Sequence, residues 1–390
     1  MSTALVAVML LAAGSSAATE TPDLIQRVFA SSPDAFRSVL AHAGQRRVQV
    51  LVTEIGTPTN PRTLIRHQFR SGAEYLYPAS ALKPAAAIAA VETIQASAGA
   101  AAQDIDLKQR IMLAPVLDGD SPKRTSLAVA IRKTLIVSSN TGYNHLYDVA
   151  GQEGLNRSMW NAGLTGVRLN HRLSRILSVD DNRRTPAWTT RQHGADLQAD
   201  SRHSRLDLLN RTSKRTKVGQ AYIERGKRVE APMDFSHKNH MSLRDLQDML
   251  LLLIRPDTDH GLKGFDLRST HREAVIDALT TLPHLSKWPV WSREDFDPYR
   301  FKPFLRGLER VQPLSSLRVV SKAGKAYGFR VDNAYIEDRR TGRAFLLTAG
   351  LHVDMDGVLN DDKYDYELAD RFLADLAEGV LRALRQPTPR

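Results

Sequence analysis

The chain has 390 residues, 42% of them hydrophobic and 25% charged, and a formal net charge of +11. That length is enough for one large domain or two with a sizeable core, and the composition is that of a folded globular protein. The absence of cysteine excludes disulfides, a thiol nucleophile and cysteine metal ligands, while the basic excess suits contact with anionic surfaces and says little about fold.

Residues 4–13 are an apolar run too short to span a bilayer, and the small residues Gly14, Ser15, Ser16, Ala17 and Ala18 follow it. Together they read as an export signal over 1–18, although no Lys or Arg precedes the run, and point to a periplasmic or secreted protein. No cysteine follows to carry a lipid, and no other stretch reads as a transmembrane anchor. Residues 21–43 place Leu24, Val28, Phe36 and Leu40 on one face of an expected helix. The β-branched stretch 48–55 predicts a strand closed by Gly56 and Pro58, with a second strand near 63–70.

Next comes Tyr77-Pro78-Ala79-Ser80-Ala81-Leu82-Lys83, at the head of an alanine-rich run. Residues three apart share a helix face, with Cβ atoms roughly 5–6 Å apart. Lys83 can therefore take the proton of Ser80, which is a poor nucleophile without such a base. A helix N-terminus also offers N–H groups to a developing oxyanion. Pro84 costs little so near the helix start, because most first-turn N–H groups have no helical partner. Taken alone, the pair also fits a surface serine beside a solvated lysine.

Residues 126–137 have helical apolar spacing and lead into Ser138-Ser139-Asn140, followed by a helix at about 141–149. A tight connection there points Ser138 and Asn140 into a cleft, or else caps a helix. Residues 170–229 hold 14 Lys/Arg against 6 Asp/Glu and read as a basic, mostly exposed insertion. It is either a contact surface for an anionic envelope polymer or a solvated loop. His171, His193 and His203 lack metal-ligand spacing, and Trp188 and Tyr222 are too sparse for stacking on nucleic acid.

Ser242 is an expected N-cap for a helix over 243–254, and another helix is expected over 270–282. Trp288, Trp291 and Pro298 then suggest a cleft rim. Strands are expected at 317–321, 329–337 and 344–353, the first running into Lys322-Ala323-Gly324. A final helix over 364–384 carries Leu368, Phe372, Leu376, Val380 and Leu384 at i+4 spacing and should lie across the sheet.

In order and spacing, Ser80-Ala81-Leu82-Lys83, Ser138-Ser139-Asn140 and Lys322-Ala323-Gly324 resemble the S-x-x-K, S-D-N and K-T-G set of class A β-lactamases and penicillin-binding proteins. The resemblance implies an α+β fold in which an antiparallel sheet is flanked by N- and C-terminal helices (about 19–75 and 315–390). An all-helical part (about 76–314) would carry Ser80 and Ser138, with the basic insertion at about 170–235. It implies Ser80 as nucleophile, Lys83 as its base, Ser138 as proton donor to the departing nitrogen, and Lys322 as carboxylate anchor. Asn140 would hold the substrate amide, Gly324 would let the substrate backbone approach, and the N–H groups of Ser80 and Lys325 would form the oxyanion hole. Ala323 stands where the family has a hydroxyl. The family's deacylating glutamate lies about 35 residues after the second motif. Here residues 167–175 contain no carboxylate, and Asp180 and Asp181 are the nearest substitutes. A class A-like hydrolase of β-lactams or cell-wall peptides is expected, with no cofactor. The alternatives are a penicillin-binding D,D-peptidase or esterase, and a non-catalytic envelope-binding module.

Overall fold

The computed structural model describes residues 23–57, 60–99, 105–211, 213–258 and 261–385; the expected export segment lies outside them. The N-terminal helical stretch is two helices, α1 (Leu24–Ser31) and α2 (Pro33–Leu40). The single helix expected over 21–43 is broken because Pro33 cannot continue α1 and instead opens α2. Strands β1 (Gln49–Thr57) and β2 (Asn60–Phe69) follow as an antiparallel pair. Then come α3 (Lys83–Ala98), α4 (Leu127–Ile136) and α5 (Asn140–Asn161). Helix α5 runs past the expected end at Gly151, which takes φ 73° and kinks it. The capping box of Ser242 and Asp245 starts α6 (Leu243–Ile254), and α7 (Ser269–Thr280) and α8 (Phe304–Glu309) complete the middle of the chain.

Strands β3 (Leu317–Ser321), β4 (Gly324–Ala326), β5 (Phe329–Asp338) and β6 (Ala344–His352) precede the terminal helix α9 (Tyr366–Arg385). Among the described residues they join β1 and β2 in a six-stranded antiparallel sheet of order β3-β5-β6-β1-β2, with β4 extending the β3 side against β5. Alternate residues face opposite ways. Val50, Val52, Ile336, Leu347 and Leu351 pack under Phe36, Phe372 and Leu376 of the terminal helices. Leu51, Phe329, Val331, Tyr335 and Leu346 face the helical part and share its core with α3 and α6.

Helix α3 is apolar nearly all round and buried along most of its length, as befits the central helix of that part. The basic stretch is woven into the same body. Its strands Trp188–Gln192 and Ala195–Ala199 extend a small sheet begun by Ile111–Leu113 and Lys123–Thr125, and Trp188 is buried. Arg172 pairs with a carboxylate in the interior and Arg175 with a half-buried one, while Arg184, Arg211 and Arg228 form exposed ion pairs. Among the described residues no helix is long and apolar enough to cross a membrane.

Candidate active site

Three backbone devices bring the motif residues together. A 3₁₀ turn, Ala79–Leu82, carries Ser80 onto the N-terminus of α3, with Ala79 at φ 46°. Ser138, at φ 58°, makes the turn between α4 and α5, and the Ser139 side chain caps α5 by accepting from Gly142 N–H at 3.1 Å. The link from β3 to β4, both paired with β5, delivers Lys322 and Ala323. Gly324 is required here by its own chain. A Cβ at this position would sit 2.3 Å from Pro78 O, 2.8 Å from Ser80 N and 2.9 Å from Ala81 N. The close approach expected for a substrate backbone is thus made by the Ser80 turn itself.

The amines converge on Ser138. Lys83 Nζ donates to Asn140 Oδ1 at 2.7 Å and to the Ser138 carbonyl, and lies 3.3 Å from Ser138 Oγ. From the other side, Lys322 Nζ donates to Ser138 Oγ at 2.9 Å and to Ala323 O at 2.7 Å. Both lysines are buried. Burial, followed by the charge of Lys322, pushes the Lys83 amine well below its ordinary range. Burial and the charge of Lys302 push Lys322 down to about 7, with Asp332 opposing. Lys302 sits behind this cluster and donates to Ser321 O and Oγ, both at 3.1 Å. Where Lys83 is neutral, its amine carries a lone pair to which Ser138 Oγ can donate while accepting from Lys322.

Ser80 lies between two chambers that also share Asn140 and Lys325. The smaller, about 350 Å³, contains Ser138, Lys322, Ala323, Arg300 and Arg330. The larger, about 710 Å³, is bounded by the 171–176 loop, Lys238 and a group of tyrosines. A third hollow of about 740 Å³ lies beside residues 42–47 and 352–357 and holds none of the motif residues.

Asp180 and Asp181 do not reach the cleft. Asp180 pairs with Arg184 and His203 in a separate hollow, and Asp181 closes a capping box with Ser178. What the loop presents instead is Ser174, whose Oγ accepts from Asn140 Nδ2 at 2.6 Å. The loop is anchored by Arg172, buried against Asp148 at 2.7 Å with its guanidinium over Tyr147. Of the residues expected at the rim, Trp288 is exposed, and neither it nor Trp291 nor Pro298 lines either chamber; the smaller one is lined instead by Phe296, which packs edge-on against Trp291.

Arg330, Arg300, Lys238 and Ser174 were not legible as site residues. The one available signal was Arg330 and Asp332 at i, i+2 of strand β5, which puts both on one face. Among the described residues, no group of three or more His, Asp or Glu side chains is placed to hold a metal ion.

The β-lactamase enzyme family matches residues 33–255, more than half of the chain, spanning the first two motifs and the Ser174 loop. Among solved structures, the chromosome-encoded β-lactamase of Vibrio parahaemolyticus superposes with a TM-score of 0.51 at 12% identity, over 90% of this chain and 100% of that one. A β-lactamase from Xanthomonas campestris gives 0.50 at 16%, over 93% and 100%. One from Sphaerobacter thermophilus gives 0.50 at 14%, over 93% and 99%. At such identities the likeness is one of fold. No curated protein sequence matches the chain. On the extent of the family match and the shared fold, this chain belongs to the β-lactamase enzyme family.

Proposed function

We propose that the protein is a serine hydrolase that forms an acyl-enzyme at Ser80 with β-lactams or related cell-wall peptides. The observation that carries this reading is Ser138 Oγ, held between two buried amines, at 2.9 Å from Lys322 Nζ and 3.3 Å from Lys83 Nζ, beside Ser80. Ser80 Oγ attacks the carbonyl carbon and its proton passes to neutral Lys83. The backbone N–H groups of Ser80 and Lys325 receive the oxyanion, where a lost donor costs roughly 3–4 kcal/mol of barrier. As the carbon–nitrogen bond breaks, Ser138 hands its proton to the departing nitrogen and takes one from Lys83. The net result is one new C–O bond, one broken C–N bond and one proton moved from Ser80 to nitrogen. Lys322, with Arg300 and Arg330 nearby, faces the substrate carboxylate; Asn140 holds the amide.

A second reading concerns the fate of the acyl group. The 171–176 loop brings no carboxylate to the cleft, and this favours a long-lived acyl-enzyme, the behaviour of a penicillin-binding peptidase or esterase. Intact-protein mass spectrometry with a penicillin, comparing wild type with Ser80→Ala, tests both. A persistent adduct confined to wild type supports acylation at Ser80 with slow turnover. A transient adduct with consumption of penicillin supports full hydrolysis. No adduct and no consumption remove β-lactams as substrates.

A further inference from the structure

The larger chamber is built for more than a neutral side chain. Its four cations divide into two kinds. Arg172 is locked on Asp148, and Arg175 pairs with Asp120 at 2.9 Å. Lys238 and Lys325 have no carboxylate partner among the described residues. Each ammonium instead lies over a tyrosine ring, Lys238 Nζ 5.7 Å from the Tyr327 centroid and Lys325 Nζ 4.7 Å from that of Tyr366. A ring face steadies a cation without neutralising it. The rings are themselves fixed: Tyr366 OH accepts from Gly328 N–H at 3.0 Å, and Tyr327 packs edge-on against Tyr77 and Phe235. Among the described residues, the only carboxylate on the chamber lining is the exposed Asp362.

Backbone strain points to the same place. Of the eleven non-glycine residues with positive φ among the described residues, Ala79, Ser174, Tyr327, Asn360 and Asp362 line this chamber, and Ser138 lines the adjoining one. Such conformations gather where the surrounding structure over-determines the backbone, as at ligand sites. Burial and the neighbouring arginines Arg330 and Arg300 also hold the Lys325 amine below its ordinary range, a penalty that a bound anion relieves.

We infer that this chamber is a subsite for a carboxylate on the acyl side chain of the substrate, held between Lys238 and Lys325 above the tyrosines. Acidic side chains, as on a cell-wall peptide or a dicarboxylic β-lactam, are then the favoured acyl donors. The inference rests on acylation at Ser80, and the test separates the two.

The full chain is reacted with two matched pairs of β-lactams, and adduct formation is followed by intact mass. Carbenicillin and benzylpenicillin differ by one carboxylate close to the amide. Glutaryl-7-aminocephalosporanic acid and its side-chain methyl ester place the difference farther out. In at least one pair, the acid is expected to acylate about tenfold faster than its neutral partner at low salt, with the preference shrinking at high salt. Lys238→Met is expected to cut the preference below about twofold without changing the rate of the neutral partner, and Lys238→Arg to keep it. Equal rates within both pairs overturn the inference while leaving acylation at Ser80 intact. So does a preference that survives Lys238→Met. Failure of all four compounds to label Ser80 overturns the acyl-enzyme reading and the subsite with it.

Discussion

Lys322 Nζ donates to Ser138 Oγ at 2.9 Å, joining the end of strand β3 to the turn between α4 and α5 across the mouth of the cleft. That contact ties the protonation of Lys322 to its neighbours. Burial and the Lys302 charge hold Lys322 down to about 7. Its charged form is the one that faces a substrate carboxylate, so the second-order acylation rate should fall as pH rises through about 7 to 8. Burial and the Lys322 charge lower the Lys83 amine, and protonation of Lys83 removes the base, so the rate should also fall on the acid side of the Lys83 titration. Lys302→Met removes a like charge, leaves Asp332 in place and should move the alkaline limb to higher pH. An unmoved limb would show that Lys302 does not act on Lys322.

Gly324→Ala tests how the strand meets the nucleophile turn. The added Cβ meets three backbone atoms between 2.3 and 2.9 Å away, and none can yield as a flexible side chain would. Overpacking of this kind costs roughly 1–3 kcal/mol. Either β4 or the Ser80 turn must shift, so acylation should fall at least about a hundredfold, because a misplacement on the order of 1 Å suffices for that. Urea unfolding and adduct formation read the two effects separately.

Much of this was readable from local patterns. The Ser242 cap and the strands Leu317–Ser321 and Ala344–His352 each follow from capping and local strand patterning alone, whereas α3, expected to open at Ser80, begins at Lys83 after a 3₁₀ turn. The site was legible where chemistry is confined to short motifs, as with Ser80 and Lys83 one helical turn apart. It was not legible where one arginine does structural work among many that do not. Arg172 and Trp188 lie in a stretch whose composition reads as exposed, yet both are buried because Asp148 and the Val149 carbonyl, far off in sequence, receive them. Lys238 is likewise unremarkable until the fold sets it over Tyr327.

The Arg172–Asp148 pair fixes the loop that faces Ser80. Both side chains are fully buried, Arg172 Nη2 also donates to Arg184 O at 2.8 Å, and Lys123 lies 3.3 Å from the same carboxylate. Breaking a fully buried pair costs up to about 3–5 kcal/mol, and in Arg172→Met the loss is softened only by Lys123, which still faces Asp148 from 3.3 Å. Arg172→Met should therefore lower Tm clearly. Because Ser174 loses its support, KM should also rise for substrates whose amide contacts Asn140. The double variant Arg172→Met with Asp148→Leu should regain part of the Tm.

Acid should weaken the fold through His240 and His352. Burial, followed by Arg168 for His240 and Arg47 for His352, pushes both imidazoles down to about 4. An unfolded histidine titrates near 6.5. The native state thus binds fewer protons between these values. Its stability is fully present above about 6.5 and is lost as pH falls toward 4. The loss is on the order of 2 kcal/mol per histidine by pH 4.5. Urea unfolding at pH 7.5 and pH 5 should show the decline, and His352→Gln, which keeps a donor for Tyr327 O, should flatten it.

The most direct test of slow turnover adds what the loop lacks. Ser174 Oγ lies 2.6 Å from Asn140 Nδ2, and the Asn140 side chain also bonds Lys83, so position 174 faces the amine cluster beside Ser80. The residue is exposed and already has a positive φ, so a longer side chain has room and adds little new backbone strain. Ser174→Glu places a carboxylate within hydrogen-bond reach of a water approaching the ester, and a positioned general base contributes typically 10²–10⁴-fold. The half-life of the penicilloyl adduct should shorten by about tenfold or more, while its rate of formation changes little. Ser174→Gln, equal in size but unable to act as a base, should leave the adduct long-lived. Equal half-lives for the two variants would mean that water is excluded from that face of the ester, and that the missing carboxylate is not what limits turnover.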